Sequence, residues 1–454
     1  MTTRREDLRR LDHKYLWHPF TQMQEWMSED PCIIEAGEGH YLVDVEGKRY
    51  LDGVSSLWCN VHGHRKEELD QAIRAQLDRI AHSTLLGLSH IPGIELAEKL
   101  IEIAPAGLQR VFYSDDGATA VEIALKIAVQ YWQLKGEQSR TRFASLAEAY
   151  HGDTIGAMSV GYSETFHHFH QPLLFPVLRL NPPHVFRYFK RMSEAEALES
   201  AIEEAERTLT QEKNSLAALI IEPLIQGAAG MWPQPAVYVK ALREICRRNR
   251  ILFIADEVAT GFGRTGKMFA CEHAGVSPDI FCVAKGITGG YLPLAATLTT
   301  EEIFSAFLGA YKEFKTFFHG HTYTGNPLGC AVALASLELF KKEKILERMQ
   351  PKIAYMKERL EREFLPLAHV AEARQWGFMV GIELVEEKTG RKSYPSEKRI
   401  GHQVILAARQ RGVMIRPLGD VIILMPPLTV EESELKTLVD VTFTSIKAVT
   451  ETNG

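Results

Sequence analysis

Lys285 ends a short apolar run, Ile280-Phe281-Cys282-Val283-Ala284, and is followed at once by Gly286 and then by Gly289-Gly290. An ammonium taken out of water must be paired, or it must give up its proton more easily. A lysine in that state condenses with aldehydes. The same pattern also fits a lysine that snorkels from a strand edge into water. Asp256 ends a stronger apolar run, Ile251-Leu252-Phe253-Ile254-Ala255, with Glu257 behind it. About 30 positions separate Asp256 from Lys285, the length that a strand, a crossover and a second parallel strand require. A glycine-rich turn, Gly261-Phe262-Gly263-Arg264-Thr265-Gly266, lies between them. Ligands of open parallel sheets bind outside the carboxyl ends of the strands, so both side chains are expected to face one pocket.

An aspartate in that pocket holds a pyridine nitrogen protonated and turns the ring into an electron sink. A lysine and an aspartate with these tasks point to pyridoxal 5'-phosphate. Taken without Lys285, Asp256 also reads as a cap after a strand.

Four further segments carry chemistry. Asp116-Gly117-Ala118-Thr119 follows the strand-like Val111-Phe112-Tyr113 and opens a helical pattern. Such a turn either binds a phosphate on the free helix amides or is a plain N-cap at Asp116. Tyr150-His151-Gly152 follows another strand, where an aromatic ring either stacks on a flat cofactor or sits in a surface turn. Glu222, after Leu216–Ile221, either orients a cation or caps the strand. Arg416, between Ile415 and Pro417, wants a carboxylate from a substrate or from the protein itself. The loop His319-Gly320-His321-Thr322-Tyr323-Thr324-Gly325 is rich in hydroxyls and could reach a phosphate, including one across a subunit interface. Together with His62-Gly63-His64 it lacks the ligand spacing of a zinc site, and no metal is expected.

These residues need a scaffold. Helical stripes (68–81, 94–103, 118–134) alternate with β-rich runs (110–114, 143–146, 216–221, 251–255, 280–284), which predicts an α/β fold with a mostly parallel central sheet. Beyond Pro327 the pattern changes to long helices (329–344, 345–364), then a strand at 378–384, a helix at 400–411, a strand at 421–425 and a last helix from Glu432. This tail reads as a smaller α+β domain. A hairpin-like pair, 39–45 and 48–51, marks the N-terminal part. The expected division is an N-terminal segment, 1–62, packing with the small domain; a large cofactor-binding domain, 63–330; and a small domain, 331–454.

Size and composition bound the function. The 454 residues exceed what one core supports. The formal net charge of −6 gives no case for nucleic-acid or anionic-membrane binding. No run approaches the ~18 apolar residues of a membrane span, and the charged N-terminus has no apolar stretch of a secretory signal. The six cysteines are scattered, and Cys246, Cys282 and Cys330 sit inside apolar patterns as buried thiols. A cytoplasmic protein with small-molecule substrates is expected.

Across nearly its whole length the chain resembles the class III aminotransferases, of the type I pyridoxal-phosphate fold. The resemblance is carried by Asp116-Gly117-Ala118, Tyr150-His151-Gly152, Ile221-Glu222-Pro223, the run Asp256 to Gly266, Lys285-Gly286 and Thr322. It implies that Lys285 carries the cofactor, that Asp256 pairs with the pyridine nitrogen and that Tyr150 stacks at the ring. It also implies that Gly117, Ala118 and Thr322 hold the phosphate, with Thr322 coming from the second subunit of a homodimer. His151, Glu222, Val258 and His321 belong to the implied cofactor site. Phe20, Leu57, Trp58, Gly320 and Arg416 belong to the implied substrate site, with Tyr150. Within the family, Trp17 to Met23, Asp52 to Trp58, Phe269 to His273 and Arg416 to Gly419 resemble the members that aminate 8-amino-7-oxononanoate. Arg416 would then grip that acceptor's carboxylate. Phe20, Leu57 and His321 stand where members using S-adenosylmethionine carry tyrosine, tryptophan and proline. The first two remove a hydroxyl and a stacking ring, which resembles the members that take the amino group from L-lysine. The same scaffold also serves other amine transaminases, aminomutases, racemases and decarboxylases. A noncatalytic binding protein is a further alternative. A nucleotide-dependent Rossmann enzyme is disfavoured, because the glycine-rich turn follows an Asp-Glu pair and does not join a strand directly to a helix.

Overall fold

The computed structural model describes residues 3–451; Met1, Thr2 and the last three residues of the expected terminal segments lie outside it. A seven-stranded sheet forms the centre. In chain order its strands are β1 (Leu108–Ser114), β2 (Arg142–Leu146), β3 (Leu178–Leu180), β4 (Leu216–Ile221), β5 (Leu252–Asp256), β6 (Ile280–Val283) and β7 (Ala295–Thr300). Their spatial order is β1-β7-β6-β5-β4-β2-β3. Neighbours among β3, β2, β4, β5 and β6 run parallel, and β7 runs antiparallel to both β6 and β1. The expected mostly parallel α/β sheet is present.

The apolar runs are continuous because both faces of the sheet are covered. Ile220, Ile254, Ile280 and Cys282 pack on one side with Ala120, Ile123, Ala124 and Ile127 of the helix Gly117–Leu134. Their chain neighbours Leu219, Ile221, Phe253, Ala255, Phe281 and Val283 join the opposite core with Val239, Leu242 and Ile245 of the helix Ala236–Arg248. This alternation is the period of two that a strand imposes. Each fully buried Leu, Ile or Phe contributes roughly 1.5–3 kcal/mol.

A second sheet is antiparallel and takes its strands from the tail: Val370–Trp376, Met379–Leu384, Val421–Leu424 and Arg416–Leu418. The helices Ile400–Gln410 and Glu432–Thr450 pack on each other beside it. Near the N-terminus the hairpin forms between Tyr41–Asp44 and Arg49–Asp52. Its second strand runs parallel to Val413–Met414, with Leu51 opposite Val413 and Asp52 opposite Met414. The two ends of the chain therefore share one sheet.

Two helices end well before their predicted spans do. The helix predicted over 68–81 spans Glu67–Leu77, because Leu77 and Ile80 are exposed and no longer have a face to bury. The stretch predicted as one helix over 345–364 is α-helical only over Ile345–Arg359. It closes in a π turn at Leu360–Phe364, where Phe364 drops into the core.

Candidate active site

The carboxyl ends of β4, β5 and β6 open into one cavity of about 730 Å³. Its walls include Trp58, Gly117, Ala118, Tyr150, His151, Glu222, Asp256, Val258 and Lys285. The sheet register explains why. Asp256 lies opposite Cys282, three positions before Lys285, and Ile221, which precedes Glu222, lies opposite Ala255. Parallel pairing thus delivers two carboxylates and one amine to the same edge.

Lys285 sits just past β6 with a φ of 44°, in the left-handed region, where the chain turns sharply out of the strand. Burial pulls its pKa down from 10.5, and the charges of Asp256 and Glu222 oppose that pull. Its Nζ stands 5.1 Å from the centroid of the Trp58 ring. Among the described residues no carboxylate forms an ion pair with it. A half-buried amine with a lowered pKa fits the role that the sequence suggests for Lys285.

Asp256 is 4% exposed. Its Oδ2 lies 2.6 Å from Nδ1 of the buried His151, and its Oδ1 accepts the Val258 amide at 3.0 Å. His151 Nε2 is buried and has no hydrogen-bond partner. Glu222 accepts the amides of Tyr150 (3.1 Å) and Gly227 (2.9 Å). Burial raises its pKa to about 7, with the Asp256 charge adding to the effect, while His151 and the two amides work against it. Of the two readings of Glu222, the cap fits what is seen: it fixes the backbone around Tyr150, and its raised pKa weakens its hold on a cation near neutral pH.

Asp116 does form an N-cap, accepting the Thr119 amide at 2.9 Å, while Thr119 Oγ1 accepts the Asp116 amide at 3.0 Å. The cap does not close the helix end to an anion. The first amides of a helix have no intrahelical acceptor, and Gly117 and Ala118 line the cavity. A Cβ on Gly117 would lie 2.5 Å from Val258 Cγ1, and one on Gly152 would lie 2.4 Å from the Ala118 Cβ. Glycine at both positions lets three chain segments meet at this corner. The Tyr150 hydroxyl donates to Asp153 at 2.7 Å, and its ring stacks on His167 (6.1 Å, 14°).

A second cavity, of about 380 Å³, holds Phe20, Leu57 and Arg416. Burial lowers the pKa of the Arg416 guanidinium, and among the described residues it has no carboxylate partner. The internal salt bridge weighed for it is absent, which leaves it available to a ligand's carboxylate. Phe166 stands edge-on to one residue of each cavity, Phe20 (5.8 Å) and Tyr150 (6.3 Å).

Three predicted residues stay outside both cavities. Gly320 and Thr322 lie on an exposed loop, and His321 forms an ion pair with Asp115 at 2.9 Å. A larger cavity, about 1150 Å³, lies between His184, Pro233–Pro235 and the strand Val370–Trp376, and holds none of the predicted site residues.

Sequence reasoning passed over Asp153, Phe166 and His167. They lie in a polar, histidine-rich stretch with no periodicity, and only the turn after Tyr150 brings them back to its ring. Arg264 was noticed only as part of a glycine-rich turn. It is a fully buried side chain, with Nη atoms donating to the carbonyls of Pro426 (2.6 Å) and Asn60 (2.8 Å).

The geometry meets the demands of pyridoxal phosphate: a depressed lysine, a buried aspartate, an aromatic ring and a free helix N-terminus share one cavity, and a buried imidazole nitrogen there lacks a partner. The profile of the aminotransferase class-III family matches residues 23–446. The chain belongs to the class III aminotransferases. Among these aminotransferases it is 55% identical, over 98% of its length and 82% of the other protein, to the adenosylmethionine-8-amino-7-oxononanoate aminotransferase of Nitratidesulfovibrio vulgaris. The crystal structure of the aminotransferase of that name from Methanocaldococcus jannaschii is 48% identical, with a TM-score of 0.93 over 98% of this chain and 99% of that one. An amine transaminase from an uncultivated Pseudomonas species, solved with pyridoxal phosphate bound, is 38% identical, with a TM-score of 0.91 over 96% and 99% of the two chains. As a class III aminotransferase, the chain is a pyridoxal-phosphate-dependent enzyme acting on small molecules.

Proposed function

We propose that this aminotransferase passes an amino group to 8-amino-7-oxononanoate, making 7,8-diaminononanoate for biotin synthesis. The observation that carries the reading is the unpaired Arg416 guanidinium in the cavity next to that of Lys285. It suits an elongated acceptor with a carboxylate at one end and a ketone at the other. The names of the relatives at about 50% identity support the same acceptor.

Bound pyridoxal phosphate supplies an electron sink that lets a proton leave the carbon carrying the amine. The amides of Gly117 and Ala118 would hold its phosphate, Asp256 would keep its ring nitrogen protonated, and Tyr150 would supply an aromatic wall beside it. His151 fixes the Asp256 carboxylate by its 2.6 Å contact. Lys285 would carry the cofactor, and its free amine would serve as the base that takes the proton from the substrate carbon. A lowered pKa suits this task, because the amine then gives up its proton more easily. Leu57 and Phe20 shape the substrate end, and Arg416 sets the register of the acceptor. The donor is S-adenosylmethionine or L-lysine, and the absence of a tyrosine hydroxyl at Phe20 and of a large ring at Leu57 favours lysine.

The enzyme works as a cytoplasmic homodimer in this reading, with Gly320, His321 and Thr322 of the partner subunit completing the cofactor and substrate sites. Exposed Leu86, Phe314, Phe318 and Tyr323 supply apolar surface for such a contact. Residues 63–330 form the cofactor-binding domain, with 1–62 and 331–454 gathered around the sheet that the two ends of the chain share. The test is a donor screen with 8-amino-7-oxononanoate present, scoring the diamine. Diamine formed with either donor supports the reading, and none with both contradicts it.

A further inference from the structure

Four consecutive non-glycine residues carry a positive φ: Ser55 (50°), Ser56 (47°), Leu57 (74°) and Trp58 (72°). This is a left-handed helical turn. The Trp58 amide donates to the Val54 carbonyl at 2.8 Å, and the Cys59 and Asn60 amides donate to the Ser55 carbonyl at 3.1 and 3.0 Å. A left-handed turn costs an L-residue roughly 1–2 kcal/mol per position, so something must hold it.

The fully buried Asp52 does so from below. Its Oδ1 accepts the Ser56 amide at 3.0 Å and its Oδ2 accepts the Ser56 hydroxyl at 2.7 Å. His64 Nε2 meets the same Oδ2 at 3.1 Å; His64 Nδ1 faces the Asn60 side-chain Nδ2 at 3.1 Å, which leaves Nε2 as the donor. Ser55 Oγ donates to the Met425 carbonyl at 2.7 Å, and Arg264 donates to the Asn60 carbonyl beyond the turn. The result is an unusual division of side chains. Leu57 lines the cavity with Arg416, while Trp58, the next residue, lines the cavity with Lys285 and covers its amine.

We propose that Asp52 is a positioning residue: by clasping the left-handed turn 55–58 it sends Leu57 and Trp58 into two different cavities and fixes the wall past which a carboxylate-bearing acceptor must reach. Asp52 touches neither cavity, and it acts only through Leu57 and Trp58. A right-handed turn would carry both side chains elsewhere and merge or block the two spaces. The proposal rests on the reading of the acceptor given above and adds the element that shapes its path.

The test uses the full-length enzyme saturated with pyridoxal phosphate. Asp52→Ala is expected to raise KM for 8-amino-7-oxononanoate at least tenfold while cofactor absorbance per subunit stays at the wild-type level. Asp52→Asn keeps one oxygen for the Ser56 amide, so its KM should fall between the two. A KM for Asp52→Ala within twofold of wild type overturns the proposal. If Asp52→Ala does not fold, Asp52→Asn is judged by that same limit. A second pair reads the backbone directly. Ser56→Ala and Ser56→Gly both lose the hydroxyl, but only glycine escapes the Cβ strain at φ 47°. Ser56→Gly should melt about 2 °C or more above Ser56→Ala; an equal or lower melting point contradicts the strained turn. A wild-type enzyme that makes no diamine sinks the acceptor, and the Ser56 pair then decides the turn by itself.

Discussion

His151 Nδ1 and Asp256 Oδ2 lie 2.6 Å apart, both buried, at the floor of the cavity that holds Lys285. The imidazole and the Val258 amide together take up both carboxylate oxygens, so Asp256 is fixed before any ligand arrives. Asp256→Asn removes the charge and keeps the volume. It should cut turnover at least 100-fold, about 2.7 kcal/mol of transition-state stabilisation, and weaken cofactor retention. Steady-state rates and an absorbance titration with pyridoxal phosphate check both. An Asn variant within fivefold of wild type would show that the carboxylate is not needed.

The lowered pKa of Lys285 has a stability consequence in the cofactor-free enzyme. The unfolded chain holds this proton to about 10.5, and the folded chain releases it earlier. Between the two values the unfolded state binds more protons, so this group's cost is full below the folded value and fades as pH rises towards 10.5. Lys285→Met keeps the length and removes the charge. Cofactor-free Lys285→Met should be more stable than wild type at pH 7, with the gap narrowing at higher pH, and it should have no turnover. Denaturant melts across the pH range test this.

Glu222 shifts the other way. Its folded pKa of about 7 lies above the ordinary 4.5, because burial disfavours the charge. The folded state therefore binds the extra proton between these values, and wild-type stability falls as pH rises through them. Against Glu222→Gln, the wild-type enzyme should lose on the order of 3 kcal/mol from pH 4.5 to pH 7. The comparison must be the change in the difference, because Gln also meets the Tyr150 and Gly227 amides with one acceptor oxygen instead of two. A pH-independent difference would refute a protonated Glu222.

Arg416→Met removes the charge that awaits a carboxylate. For 8-amino-7-oxononanoate, KM should rise about 10–100-fold, the ~1.5–3 kcal/mol of a hydrogen bond to a charged group, with kcat changing less. A ketone acceptor without a carboxylate should show no comparable rise. Equal losses for both acceptors would mean that Arg416 serves the fold.

The meeting of Lys285 and Asp256 in one cavity was legible in the sequence because parallel strands turn a linear code into geometry. An apolar run that ends in a charged residue puts that residue at the sheet's edge, as it does for Glu222, Asp256 and Lys285. The helix cap at Asp116 was legible for a similar local reason. The left-handed turn at 55–58 was not, because none of its residues is glycine, and only Asp52, Ser55 and Arg264 explain how it survives. The strands Val370–Trp376 and Ala295–Thr300 were missed as well. The first has a mixed polar composition, and the second is rich in alanine and threonine and packs on β1, far away in sequence. The loop with Thr322 is held within the chain by the His321–Asp115 pair and by Tyr323 against His82, while Thr322 itself is exposed.

Reductive trapping tests the central claim most directly. The enzyme loaded with pyridoxal phosphate is treated with borohydride, digested and mapped by mass spectrometry. The account predicts one pyridoxyl adduct, on the peptide carrying Lys285, and none after prior incubation with an amino donor. An adduct on another lysine, or no adduct in yellow, cofactor-loaded protein, would contradict it.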